Sequence, residues 1–163
     1  MLYYFAYGSN MCPDQMALRC PGARALGPAR LQGWRFHVTT RGTASILPDE
    51  GHAVHGVLWR CRPEHLFILD RFEGVAWRNY FRRSVIIESR AHGPLRALTY
   101  ASARTWPGRA RANYMLTRVL PAAKTFALPP GYIEELESWL PARPLGERGT
   151  RYVGRTRPLR FPR

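Results

Sequence analysis

The segment at residues 2–10 places the strongest constraint on how this chain folds. An apolar, aromatic run over residues 2–7 leads directly into the small polar turn Gly8-Ser9-Asn10. The run is typical of a buried strand, and Pro13 fits the first turn of a helix just beyond. Backbone N–H groups at such a junction point outward, and the dipole of the following helix favours negative charge. The sequence therefore predicts a turn that holds a small carboxylate.

Glu73 is the acidic residue whose position is most suggestive of chemistry. It stands at the end of an amphipathic helix predicted over residues 63–72, and Gly74 follows it as a helix terminator. A carboxylate among apolar neighbours has a raised pKa, which suits it to proton transfer near neutral pH. The helix dipole disfavours a negative charge there, so Glu73 is poorly placed for stability. The alternative is an ordinary solvated glutamate.

Length and composition predict one globular domain without a membrane segment. The chain has 163 residues, of which 45% are hydrophobic, and no apolar run approaches the length of a membrane span. The N-terminus lacks a basic leader, so we expect a cytoplasmic protein. Three cysteines without a Cys-x-x-Cys pair and five scattered histidines predict neither disulfides nor a metal site.

The chain is strongly basic, with 25 basic and 11 acidic residues and a formal net charge of +14. A polyanion partner such as nucleic acid is one explanation, and compositional bias toward arginine is the other. Because the arginines are spread along the whole chain, we favour bias and do not expect a nucleic-acid partner. We interpret residues 1–140 as the folded domain and residues 141–163 as an Arg- and Pro-rich C-terminal extension.

The predicted elements indicate an α+β fold with several short strands and few helices. We expect these strands to form a small, strongly curved mixed sheet or barrel that buries one face. Two predicted strands at residues 25–31 and 34–40 are joined by a tight turn at 32–33. Two more at 44–47 and 54–61 are joined by a loop at 48–52. The last two, at 80–88 and 96–101, form a hairpin. The predicted helices are 13–19, 63–72, 110–126 with a break or a kink at Pro121, and 132–140.

Two segments together resemble the γ-glutamylcyclotransferase family. They are Tyr4-Phe5-Ala6-Tyr7-Gly8-Ser9-Asn10 and Leu69-Asp70-x-x-Glu73-Gly74-Val75, and the resemblance extends over residues 2–140. It implies a small mixed β-barrel with flanking helices. Phe72 precedes Glu73 where relatives carry polar residues, which predicts a more apolar pocket.

The resemblance implies an intramolecular reaction of a γ-glutamyl amide. The substrate's α-amine attacks its own side-chain carbonyl, and the products are 5-oxoproline and a free amine or amino acid. No cofactor is expected, because both reacting groups belong to one molecule. The implied catalytic residue is Glu73, which moves the proton. The implied substrate-binding residues are Tyr4, Phe5, Ala6, Tyr7, Gly8, Ser9 and Tyr100, with the N–H groups of Gly8 and Ser9 and the Tyr100 hydroxyl as donors; Asn10 and Tyr80 are further candidates.

Other functions stay open on the sequence alone. A noncatalytic protein could retain the anion-holding turn and dock an acidic partner or RNA through its basic surface. An amidohydrolase could use water at the same site and release glutamate. The sequence does not define the leaving group. It also leaves the oligomeric state open, with a homodimer among the possibilities.

Overall fold

The computed structural model describes residues 1–141, and five strands in this part of the chain form a closed barrel. Their order around the barrel is β1-β3-β2-β4-β5. The β1–β5 pair is parallel and the other paired strands are antiparallel, so the predicted mixed barrel is confirmed. The strands are β1 (Leu2–Ala6), β2 (Arg24–Val38), β3 (Ala44–Cys61), β4 (Tyr80–Ser89) and β5 (Gly93–Ser102).

The long β2–β3 hairpin corrects two predictions. Residues 32–33 do not form a turn between two strands, and residues 48–52 are not a loop, because both lie within the continuous strands β2 and β3. The pairing register shifts between Gln32 and Trp34, where Gly33 has φ +79°. A glycine with positive φ serves a β-bulge as well as a turn, and the bulge lets the strand bend and continue around the barrel.

The helix that carries Glu73 ends where the sequence predicts. Helix α2 (His65–Glu73) is terminated by Gly74 in the left-handed conformation, with φ 64° and ψ 41°. The Gly74 N–H reaches back to the Arg71 carbonyl at 3.2 Å. A residue with a side chain would be strained in this conformation. A short 3₁₀ turn (Val75–Trp77) then connects α2 toward β4.

The remaining helices flank the barrel, and one of them is irregular next to the proline where the sequence predicts a break or a kink. Helix α1 (Pro13–Arg19) lies as predicted, after a 3₁₀ turn at Ser9–Met11. The later helix continues past Pro121 and is not broken there, but a π-helical turn precedes this proline, and in it the Leu120 N–H bonds to the Met115 carbonyl. The segments are α3 (Ala112–Tyr114), the π-helical turn (Met115–Val119), α4 (Leu120–Thr125) and α5 (Pro130–Ser138).

The barrel interior and the inner faces of the helices form one apolar core. Its fully buried members include Phe5, Met16, Phe36, Leu69 and Leu136, which come from strands and helices alike. None of the helices within residues 1–141 is long and apolar enough to cross a membrane. The predicted extension lies outside the described residues apart from Pro141. The alternative of a noncatalytic protein that docks an acidic partner or RNA is not tested by the structure.

Candidate active site

A cavity of about 260 Å³ opens where the turn after β1 meets the end of α2. Helix α1, the starts of β3 and β4, strand β5 and helix α3 complete its wall. The lining is rich in hydroxyl groups and holds a carboxylate and a guanidinium group. Its members are Tyr4, Tyr7, Gly8, Ser9, Asn10, Gln15, Arg19, Thr43, Ala44, Phe72, Glu73, Tyr80, Tyr100 and Tyr114.

Most of the residues predicted from the sequence meet at this cavity, and two do not line it. Phe5 points to the face of β1 opposite Tyr4 and is fully buried in the core, since side chains alternate along a strand. Ala6 pairs with Val57 of β3 and also lies away from the cavity lining. The predicted residues that do line it are Tyr4, Tyr7, Gly8, Ser9, Asn10, Glu73, Tyr80 and Tyr100.

Four polar residues of the lining were not proposed from the sequence. Gln15 and Arg19 are four residues apart on α1, and this spacing places them on one helix face beside the turn. That signal was present in the sequence. Thr43 and Tyr114 carry no comparable signal, because the closure of the barrel and the packing of α3 bring them to the cavity.

Asn10 is the centre of the hydrogen-bond network in the cavity. It is only 3% exposed. Its Nδ2 donates to Tyr4 Oη at 2.8 Å and to Glu73 Oε1 at 3.0 Å. Its Oδ1 accepts from Gln15 Nε2 at 2.9 Å and from Arg19 Nη1 at 2.7 Å. Because both ends of the amide are fully engaged, its orientation is fixed and it holds the Glu73 carboxyl in place.

Burial raises the pKa of the Glu73 carboxyl to about 7. The positive charge of Arg19 and the hydrogen bond from Asn10 act in the opposite direction and do not cancel this effect. A carboxyl with this pKa is present in both protonation states at neutral pH. Glu73 is therefore suited to accept a proton and to return it within one catalytic cycle.

Asp70 and Arg82 determine how Tyr100 presents its hydroxyl. The Tyr100 hydroxyl donates to Asp70 Oδ1 at 2.8 Å, and Arg82 Nε donates to the same oxygen at 2.8 Å. Hydrogen bonds from Arg82 and Tyr100 hold the pKa of Asp70 below its ordinary value, so Asp70 is ionised at neutral pH. The single hydroxyl proton of Tyr100 is thus engaged, so toward a ligand its oxygen is left as an acceptor, whereas we expected it to donate.

Tyr114 occupies the place that the sequence assigned to an anion on the turn. Its Oη accepts the Ser9 N–H at 3.1 Å and the Ala44 N–H at 3.4 Å. The Ser9 N–H is therefore already bonded. Burial raises the pKa of Tyr114, so its hydroxyl keeps its own proton, which it can donate into the cavity. A Cβ at Gly8 would lie 2.8 Å from Tyr114 Oη, so this contact needs glycine at that position.

The hydroxyl groups of Tyr80 and Tyr7 are engaged by the protein. Tyr80 Oη donates to the Ala44 carbonyl at 2.6 Å and contacts Thr43 Oγ1 at 2.9 Å. Tyr7 donates to the Tyr100 carbonyl. These bonds fix both rings as walls of the cavity.

Comparison with known proteins agrees with this arrangement. The family model described as "Gamma-glutamyl cyclotransferase, AIG2-like" matches residues 4–116. A Mus musculus protein named gamma-glutamylcyclotransferase is 28% identical over 145 residues, which is 83% of this chain and 77% of that protein. The Bos taurus protein of the same name is 35% identical over 82 residues, and this match spans only 44% of each chain.

A solved structure named gamma-glutamyl cyclotransferase has the same fold. It superimposes with a TM-score of 0.80 at 26% identity, covering 91% of this chain and 94% of that one. The family model includes both the turn after β1 and Glu73. The chain therefore belongs to the γ-glutamyl cyclotransferase, AIG2-like family.

Proposed function

We propose that this protein is an enzyme that cyclises γ-glutamyl amides to 5-oxoproline. The observation that carries the proposal is the Glu73 carboxyl, which has a pKa of about 7 and is held by Asn10 inside a cavity of hydroxyl groups. Family membership adds support, because relatives bear the name of this activity. A carboxyl so placed matches the demands of proton transfer at neutral pH.

The proposed reaction balances within one substrate molecule. Glu73 as the carboxylate removes a proton from the substrate's α-ammonium group, and the free amine attacks the γ-carbonyl carbon. A C–N bond closes the five-membered ring, while the amide C–N bond to the leaving group breaks. Glu73 returns this proton to the leaving nitrogen. The second proton that the ring nitrogen must lose passes by the same carboxylate to the departing amine, which leaves as an ammonium ion while the Glu73 carboxylate is regenerated. No other reactant is needed, and the cavity contributes by holding the folded conformer of the substrate.

The other lining residues fit roles in holding this substrate. The Tyr100 oxygen can accept from the α-ammonium group, because its own proton is committed to Asp70. The Tyr114 hydroxyl can donate to the α-carboxylate or to the developing oxyanion. Within residues 1–141 no acceptor is assigned to the Gly8 N–H, so it can serve as a second donor at the turn. In this arrangement the α-ammonium group of the substrate lies toward Glu73, and its α-carboxylate lies toward the turn after β1.

A product assay tests the proposal directly. The purified protein is incubated with a panel of γ-glutamyl amino acids and γ-glutamyl amines, and 5-oxoproline is measured by mass spectrometry. We expect product from the wild type, none above background from Glu73→Gln, and normal amounts from the control Glu134→Gln on the exposed face of α5. Full activity in Glu73→Gln would refute the assigned role of Glu73. The absence of product from a folded wild type with every substrate would refute the function.

A further inference from the structure

Arg19 and Phe72 form a charged and aromatic rim at the mouth of the cavity. The Arg19 guanidinium lies over the Phe72 ring, with 4.2 Å between its carbon and the ring centroid. Phe72 is 56% exposed and Arg19 is half-buried, whereas Tyr4 and Asn10 deeper in the cavity are buried. Phe72 was predicted to make the pocket more apolar. Its ring lies at the entrance of the cavity, where it packs against the Arg19 guanidinium group.

Most of the hydrogen-bonding capacity of Arg19 is unused within residues 1–141. Its recorded hydrogen bond goes from Nη1 to the neutral Oδ1 of Asn10, and no carboxylate of the described chain lies within 4.0 Å. A guanidinium group carries five N–H donors in a planar fork that matches a carboxylate. The contacts with Phe72 and Asn10 hold this fork at the cavity, which lowers the cost of ordering it around a ligand.

The direction of the substrate in the proposed reaction places its leaving group at this rim. The α-ammonium group must reach Glu73, which lies beside the buried Asn10 at 3.0 Å. The leaving group must depart toward solvent, and the exposed side of the cavity is the side of Phe72. Arg19 is the cationic side chain among the described residues that line the cavity.

We propose that Arg19, supported by Phe72, binds the carboxylate of the leaving group and so selects γ-glutamyl amides of α-amino acids over amides of simple amines. This inference rests on the proposed cyclisation and assigns its substrate class. A carboxylate on the leaving amino acid pairs with the free edge of the guanidinium group through charge-assisted hydrogen bonds. A simple amine offers this site no negative charge.

Two matched substrates isolate the contact, namely γ-glutamyl-alanine and its C-terminal carboxamide. They differ at one terminal group, which is a carboxylate in the first compound and a neutral amide in the second. From the usual strength of hydrogen bonds to charged groups, we expect the wild type to prefer the acid about tenfold or more in kcat/KM. Arg19→Gln should reduce this ratio to about 1, Arg19→Lys should keep part of it, and the exposed control Arg24→Gln should keep all of it.

The ratio is insensitive to indirect effects of the substitution. Loss of Arg19 also changes Glu73 and Asn10, but both substrates experience that change equally. Dissociation constants for the same two compounds, measured by calorimetry in Glu73→Gln, give the ratio a second time without turnover. If the protein does not catalyse cyclisation, these dissociation constants still show whether Arg19 binds the carboxylate. Failure of the proposed function and failure of this inference are therefore distinguishable.

Two results would overturn the inference. One is a wild type that does not distinguish the acid from the carboxamide in kcat/KM or in binding. The other is an Arg19→Gln variant that weakens both compounds equally, which would show that Arg19 binds the α-carboxylate of the glutamyl part or only positions Asn10. Thermal unfolding followed by circular dichroism confirms that each variant is folded.

Discussion

The side-chain amide of Asn10 donates to Glu73 Oε1 across 3.0 Å and joins two parts of the chain that are 63 residues apart. The turn after β1 and the end of α2 are thereby held in one geometry. The same amide accepts from Gln15 and Arg19, so α1 shares in fixing the Glu73 carboxyl. The site thus depends on a buried polar network rather than on a single side chain.

Replacing Asn10 with alanine tests this network. The hydrogen bond from Asn10 lowers the pKa of Glu73, so its loss should raise that pKa and move the acidic limb of the kcat/KM profile to higher pH. The buried partners left without a hydrogen bond should cost about 1–3 kcal/mol of stability. The exposed control Asn113→Ala should change neither property. An unchanged acidic limb in Asn10→Ala would contradict the assigned positioning role.

The wild-type enzyme should lose activity as the pH falls below about 7. The proposed reaction needs Glu73 as a carboxylate, and burial raises its pKa to about 7. Protonation of Glu73 at lower pH therefore removes the base. The measurement is kcat/KM for 5-oxoproline formation between pH 5 and 9 at constant ionic strength. A profile that stays flat down to pH 5 would show that a different group takes the proton.

Glu73 should also make the stability of the fold depend on pH. Its pKa is raised in the folded state, so its contribution is most favourable below the ordinary value of 4.5 and is lost as the pH rises through about 7. In Glu73→Gln the side chain does not ionise, so this loss of stability at high pH is removed. The variant should gain thermal stability relative to the wild type at pH 8.5 and less or none at pH 4.5, by differential scanning calorimetry. Glu134→Gln should show no such trend.

Tyr114→Phe tests the hydroxyl group that accepts the Ser9 N–H, where the sequence predicted a bound anion. The variant leaves the N–H groups of Ser9 and Ala44 without their acceptor, which should cost about 1–3 kcal/mol of stability. Loss of the proposed hydrogen bond from Tyr114 to the substrate should raise KM roughly fivefold, as expected for one hydrogen bond. Tyr3→Phe on the outer surface is the matched control. A Tyr114→Phe variant with unchanged KM would show that this hydroxyl does not contact the substrate.

Local patterns in the sequence were sufficient to predict the two halves of the site. The apolar run before Gly8 and the helix that Gly74 terminates both lie where the patterns place them, and family membership predicted from them is confirmed. The mixed barrel was expected from the number of strands and from the resemblance, although β2 and β3 are longer than the strands that were predicted. The meeting of Asn10 and Glu73 required the resemblance, since nothing local links them.

The errors have a common physical origin in tertiary structure. Gly33 permits either a turn or a bulge, and the pairing with β3 selects the bulge. No residue near Ser9 in the sequence is predicted to accept its N–H, but packing of α3 brings the Tyr114 hydroxyl to it. In the same way, the Tyr100 proton is directed by Asp70. Long-range partners determine which donors of a predicted site remain available, and a single sequence does not contain that information.

Product analysis in water enriched in oxygen-18 tests the central claim most directly. Cyclisation exchanges one C–N bond for another, so 5-oxoproline should form without the heavy isotope, and Glu73→Gln should form none. Hydrolysis at the same cavity would instead give glutamate that carries one oxygen-18 atom in its γ-carboxyl group. Unlabelled 5-oxoproline that depends on Glu73 is the predicted result. Labelled glutamate as the main product would contradict the account.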